Sequence, residues 1–294
     1  MRQVVLQRHG GPDALQISES KTPSPGQGML RIAVKAAGVN FADILMRQGL
    51  YPGARKLPFV PGYEVAGIVD EVGEGVNPIW IGRQVLALTD YDGYADFHVI
   101  DANRVLPVPG VLDFTTAAAI PLNYVTAWVL LVVMGSLRSD QTVLIHNAGG
   151  GVGIAALDIA RHLGARTIGT ASAGKHGFLA ERGLDHAIDY RQSEWIEEAR
   201  ALTDGAGFDL VIDPLGPASW KQSFDLLGPT GRLGMFGISA ASDDGLAGKW
   251  RLLKGYLGAP SFSSPSIVKG NRGVFGCSIH GMYESRNRLN RWLG

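Results

Sequence analysis

Apolar and polar residues alternate through MRQVVLQRHG, and apolar positions then recur in the short runs LRIAVKAAGV, AGIVDEVGEGV, RQVLAL and YADFHVI, punctuated by glycine and proline. Alternation with a period of two predicts half-buried strands. Strands this short and closely spaced predict an irregular, barrel-like β domain over residues 1–121. Beyond residue 140 the texture changes to TVLIH, TIGT, HAIDY, FDLVIDP and RLGMFG, then RGVFGCSI, with helical spacing between the runs. That alternation predicts an α/β domain over 122–280, a doubly wound parallel sheet whose ligand lies beyond the carboxyl ends of its strands. Between the two, Tyr124 to Leu137 is almost wholly apolar. Pro121 and Asn123 interrupt the longer segment, and the remaining run falls short of the ~20 residues of a membrane span. A buried helix joining two domains is expected, with the boundary near Pro121.

The stretch TVLIHNAGGGVGIAALDIARHLGARTIGTASAGK narrows the chemistry. A β-branched strand, Thr142 to His146, runs into small residues at the start of a helix. Ala148, Gly150 and Gly153 stand at the three positions of a dinucleotide fingerprint, with Gly151 and Val152 between them. Small side chains let the backbone approach a pyrophosphate, and the N–H groups and dipole of the helix start favour its charge. Gly153 keeps the helix close to the strand, and Gly164 offers a left-handed stop. His146 and Asn147 border this turn and are expected to line the cofactor cleft. An acid at the end of the second strand would bind the ribose 2′-hydroxyl of NAD. None is present; Ser172 and Lys175 follow instead, a hydroxyl and a cation suited to a 2′-phosphate, so NADP(H) is the expected cofactor.

Composition adds mainly exclusions. Formal net charge is zero, with no basic stripe or charge run to suggest nucleic acid and no internal repeat to suggest a scaffold. Forty glycines suit a turn-rich α/β enzyme. The start lacks the apolar core of a signal peptide, and Cys277 is the sole cysteine, so a reducing cytoplasm is the expected location and a buried structural thiol the expected role of Cys277. A catalytic zinc needs about three protein ligands and a structural site about four thiolates. Cys277 cannot supply either pattern, and His9, His98, His162, His176 and His186 are scattered without ligand spacing.

The segments GVNFADILMRQGLYPG, PGYEVAGIVDEVGEGV, AAAIPLNYVTAW, HNAGGGVG, GTASAGKH and DPLG resemble, across essentially the whole chain, the zinc-independent quinone oxidoreductases of the medium-chain dehydrogenase/reductase superfamily. The wording of NFADILMRQGLY, NYVTAW and GTASAGKH is similar to the branch containing the synaptic vesicle amine-transport protein homologues. The resemblance implies a GroES-like N-terminal domain followed by a Rossmann domain. Where zinc-dependent cousins carry a ligating cysteine and histidine, this chain has Asn40 and Tyr63, with Glu64 retained beside them. The implied reaction is hydride transfer from NADPH to a quinone or α,β-unsaturated carbonyl. By the same resemblance Asn40 lies beside nicotinamide and substrate, Thr126 contacts the cofactor, and Lys175 and Tyr190 surround the 2′-phosphate. Tyr51, in GLYP, is the candidate to hydrogen-bond a substrate oxygen or donate a proton.

Alternatives stay open at these positions. Asn40 also suits the N-cap of a helix beginning at Phe41, Tyr51 suits a packed loop aromatic, and Tyr63 suits a space-filling role. The family's usual tyrosine shortly after Asn40 is Leu45 here, which removes a polar substrate contact. Leu289, Trp292 and Leu293 begin an amphipathic pattern that stops at Gly294, whereas family members continue back to the first domain. Residues 281–294 are therefore expected to be the start of a truncated return. RGVFGCSI resembles the family's edge strand, so a homodimer through residues 273–279 is expected. An NADP(H)-binding regulatory or membrane-peripheral protein with little turnover is the competing functional class.

Overall fold

The computed structural model describes residues 1–238, 250, 254, 255 and 257–279. The expected truncated return over 281–294, with Leu289, Trp292 and Leu293, lies outside the described residues. Two compact units divide the chain, one built on Met1–Val125 and the other beginning at Thr126.

In the first unit, β1 (Arg2–Leu6) and β2 (Leu15–Glu19) form an antiparallel ribbon. Five further strands, β3 (Met29–Ala37), β4 (Glu64–Val72), β5 (Gln84–Leu88), β6 (Phe97–Asp101) and β7 (Val105–Pro107), make an antiparallel sheet in the order β6-β3-β4-β5-β7. Leu30 and Ile32 alternate inward on β3 to meet Val65, Val69, Val85 and Ile100, as a period of two demands. Register shifts between Arg31 and Ile32 and between Val34 and Ala36 break the β3–β4 ladder, as bulges do where a sheet bends. Helix α1 (Phe41–Gln48) follows β3 and ends at Gly49, whose φ of 72° gives the left-handed cap.

The apolar run after Ala117 is not one helix. Short α2 (Phe114–Ala118) and α3 (Pro121–Trp128) precede a π-helical turn over Val129–Val133. A continuous apolar run carries no sign of that wider turn, since every side chain around it is acceptable in a core. Val129, Leu130 and Leu131 are buried. Among the described residues, no helix is long and apolar enough to cross a membrane.

Among the described residues the second unit holds six parallel strands: β8 (Thr142–Ile145), β9 (Arg166–Ala171), β10 (His186–Asp189), β11 (Phe208–Asp213), β12 (Leu227–Met235) and β13 (Gly273–Gly276). Helices α4 (Gly151–His162), α5 (His176–Glu181), α6 (Trp195–Ala201), α7 (Pro217–Asp225) and α8 (Ser264–Gly270) alternate with them. The order β10-β9-β8-β11-β12-β13 reverses direction between β8 and β11, the doubly wound arrangement. Leu144, Ile168, Ile188, Phe208, Val211 and Leu233 form its core, which explains why these strands read as continuous apolar runs. Among the described residues, β10 and β13 stand at the two edges of this sheet.

Candidate functional site

The loop leaving β8 lies beside the reversal point of the sheet. Asn147 adopts a left-handed φ of 53°. The Ala148 N–H donates to the Thr170 carbonyl at 3.0 Å, which ties the turn to β9, and the Gly150 N–H donates to the Asn147 carbonyl at 2.9 Å, which closes the turn on itself. Gly150 is the N-cap of α4 and contributes no side-chain acceptor, so the first-turn N–H groups at Gly151, Val152 and Gly153 lack a cap from that residue. A Cβ at Gly153 would lie 2.4 Å from the Asn147 oxygen and 2.6 Å from that of Ala148, so only glycine permits this approach of helix to strand.

Lys175 reaches back over the turn. Its Nζ donates to the Gly149 carbonyl at 3.0 Å, and its stem passes so close that a Cβ on Gly149 would meet Cδ at 2.6 Å. Ser172 caps the short turn Ala173–Lys175 directly after β9. Tyr190 follows β10, and the pairing of Asp189 with Ala171 aligns the two strand ends, so Ser172 and Tyr190 leave neighbouring strands at one level. Tyr190 is half exposed, and no carboxylate stands at the end of β9. Thus Ala148, Gly150, Gly151, Val152, Gly153, Ser172 and Lys175 come together, with Tyr190 on the adjacent strand end. Thr126 is buried in α3. His146 departs from expectation: it does not line the cleft. It is 2 % exposed, with both ring nitrogens engaged inside the unit, while Asn147 is exposed. Val143, Leu144 and Ile145 are all buried, so both faces of the sheet are covered here and the residue directly after the strand is enclosed as well.

In the first unit, Asn40 occupies the N-cap of α1, and the Asp43 carboxylate accepts its backbone N–H at 2.9 Å. The Asn40 side chain does other work. Its Nδ2 donates to Glu64 Oε1 at 2.7 Å, while Glu64 Oε2 accepts the Leu122 N–H at 2.8 Å. Gly38 leaves room for this carboxylate; a Cβ there would sit 2.1 Å from Oε1. Burial pushes the Glu64 carboxyl up to about 7, against the opposing effect of the Leu122 and Asn40 hydrogen bonds. Burial likewise raises Asp43. Glu64, evident in the sequence only as an acid beside Tyr63, is the hydrogen-bond partner of Asn40, and no local signal marks that pairing.

Tyr63 fills its position. It is 3 % exposed, its hydroxyl points at Met46 Sδ at 3.8 Å, and burial raises its pKa. Tyr51 packs half-buried against the same cluster of Leu6, Met46, Phe59, Tyr63 and Tyr91. It also lines a pocket of about 350 Å³ together with His9, Arg55 and Lys56. Leu45 is buried.

Zinc does not fit these residues. An amide and a phenol replace thiolate and imidazole, the Asn40 amide is already committed to Glu64, and among the described residues no three His, Cys, Asp or Glu side chains gather. The half-buried Cys277 thiol is pushed up to about 12 by burial, which makes it a poor ligand and nucleophile.

Known proteins are similar to this chain in sequence and fold. Residues 26–110 match the alcohol dehydrogenase GroES-like domain and residues 151–291 the zinc-binding dehydrogenase domain. The synaptic vesicle membrane protein VAT-1 homolog of Danio rerio is 37% identical over 295 residues, covering 98% of this chain and 60% of that protein. The chain therefore spans less than two thirds of that relative. Quinone oxidoreductase 1 of Escherichia coli is 35% identical over 245 residues, covering 83% of this chain and 75% of its own. The solved mycobacterial protein Rv1454c, complexed with NADPH, superposes with a TM-score of 0.82 at 30% identity, over 99% of this chain and 86% of that one. With a GroES-like unit, a doubly wound unit and these relatives, the chain belongs to the quinone oxidoreductase-like family of the medium-chain dehydrogenase/reductase superfamily.

Proposed function

We propose that this protein is a zinc-independent, NADPH-dependent reductase of quinones or α,β-unsaturated carbonyls. The observation that carries the cofactor choice is Lys175, whose ammonium lies over the glycine turn at 3.0 Å from the Gly149 oxygen, with Ser172 and Tyr190 at adjoining strand ends. A 2′-phosphate brought there meets a cation and two hydroxyls, whereas the unmodified ribose of NAD finds no carboxylate. The pyrophosphate is assigned to the N–H groups at Gly151, Val152 and Gly153, and Thr126 to a contact with the cofactor. When bound, NADPH supplies the hydride.

The remaining work falls to the first unit. Asn40 orients nicotinamide and substrate, and Glu64 holds its amide in one rotamer, so the positioning cost is met before substrate arrives. Tyr51, bordering the pocket, hydrogen-bonds the substrate oxygen and serves as proton donor. Without a Lewis acid, acceptors that delocalise the incoming charge onto oxygen are the suitable class. The proposal extends to a cytoplasmic homodimer joined through residues 273–279, on and after β13.

Following NADPH absorbance with a panel of quinones and enones tests this reading. Turnover with at least one acceptor, and preference for NADPH over NADH, is expected. Tight NADPH binding with no turnover would overturn the reductase reading in favour of a nucleotide-binding regulatory protein.

A further inference from the structure

One buried polar chain crosses the sheet at its reversal point. His146 Nδ1 lies 3.0 Å from Thr170 Oγ1, and Nε2 lies 3.1 Å from Ser223 Oγ. Ser223 Oγ lies 2.6 Å from Asp213 Oδ2. Asp213 also accepts the Ser219 hydroxyl at 2.7 and 2.9 Å and the Leu215 N–H at 2.8 Å. His146, Thr170, Asp213 and Ser223 are each no more than 2 % exposed.

Donor accounting gives this chain a direction. A carboxylate only accepts, so Ser223 donates its proton to Asp213 and is left to accept from the His146 Nε2–H. Burial, opposed by Asp213, lowers the pKa of His146 and keeps the ring neutral, so Nδ1 accepts from the Thr170 hydroxyl. Every hydrogen in the sequence Thr170 to His146 to Ser223 to Asp213 then has one place to go. Trp195 closes the assembly edge-on to the imidazole at 5.6 Å. Apolar side chains could fill the same volume without the desolvation cost, so the network secures geometry rather than cohesion.

That geometry belongs to the loops at the ends of β8 and β11. His146 immediately precedes the turn at Asn147, and its backbone N–H is held by the Ile212 carbonyl at 3.1 Å. Asp213 immediately precedes the loop through Leu215 and Gly216 and holds the Leu215 N–H. In a doubly wound sheet these two loops border the ligand crevice. We infer that Thr170, His146, Ser223 and Asp213 form a positioning relay that fixes both loops and thereby sets dinucleotide affinity, leaving the chemical step to other residues. The inference rests on the NADPH reading above.

Ser223→Ala breaks the relay at its centre and Thr170→Val at its end, the latter with little change of volume. NADPH Kd from fluorescence titration, the thermal midpoint, and kcat at saturating NADPH are measured for wild type, both variants and the double variant. Ser223→Ala is expected to raise the NADPH Kd about tenfold while kcat at saturation changes less than about twofold. Thr170→Val should raise Kd less, and the double variant should lose less than the product of the two, because one break already frees the turn. A lowered thermal midpoint with wild-type Kd in both variants would overturn the relay and leave the NADPH reading standing. If Ser223→Ala does not fold, an unchanged Kd in Thr170→Val has the same force. Wild-type protein that binds no NADPH would overturn both.

Discussion

Replacing Glu64 with glutamine should change how stability depends on pH more than it changes stability itself. The carboxyl has an ordinary value of 4.5 and is held at about 7 in the fold. Between those values the folded state keeps a proton that the unfolded chain gives up. The resulting stabilisation is whole below pH 4.5 and is lost as pH rises through about 7. At about 1.4 kcal/mol per pKa unit, it amounts to about 3 kcal/mol. Glutamine cannot titrate, and its amide oxygen can accept from only one of the two donors, Asn40 Nδ2 and the Leu122 N–H. Facing the other donor with an amide N–H costs about 1–3 kcal/mol. The variant should therefore be the less stable protein at acid pH, and the gap should close or reverse as pH approaches about 8. Urea unfolding of both proteins across that range gives the gap directly. Asp43, raised in both, largely cancels in the comparison. A gap that stays constant with pH would refute the reasoning.

Lys175→Ala should weaken NADPH binding about 10- to 100-fold and NADH binding less than about twofold, by fluorescence titration; equal losses would mean that Lys175 does not meet the 2′-phosphate. Gly153→Ala forces a Cβ to within 2.4 Å of the Asn147 oxygen, and should destabilise the protein by about 1–3 kcal/mol in urea, with an unchanged midpoint contradicting the close approach. Tyr51→Phe should lower kcat/KM for an enone about tenfold while leaving the NADPH Kd alone. Unchanged steady-state kinetics would return Tyr51 to a packing role.

The dinucleotide turn was legible because its signals are local: a β-branched strand, small residues at fixed spacing and a helical period follow one another within one stretch. The strand-rich first unit was legible for the same reason. Partnerships were not. Asn40 and Glu64 are 24 positions apart, and His146 and Ser223 are 77 apart; no periodicity connects such pairs. Asn40 shows the limit well, since the cap reading placed it at the start of α1 correctly while its amide serves a distant acid. His146 was misassigned because adjacency to the turn resembles a lining position, whereas its burial depends on Thr170 and Ser223, which are distant in the sequence and engage both ring nitrogens. The π-helical turn left no trace, because apolar residues on all sides satisfy an α-helix equally well.

Gly38 carries a consequence for how this chain can vary. The space where its side chain would begin belongs to the Glu64 carboxylate, 2.1 Å from where a β-carbon would stand. The two positions are joined by volume. While the acid remains, no larger residue can enter at 38 unless the carboxylate moves, and a change there becomes tolerable first in descendants whose residue 64 has already been shortened. The glycine is the imprint of the acid, and in a chain of this kind it records that the acid is in place.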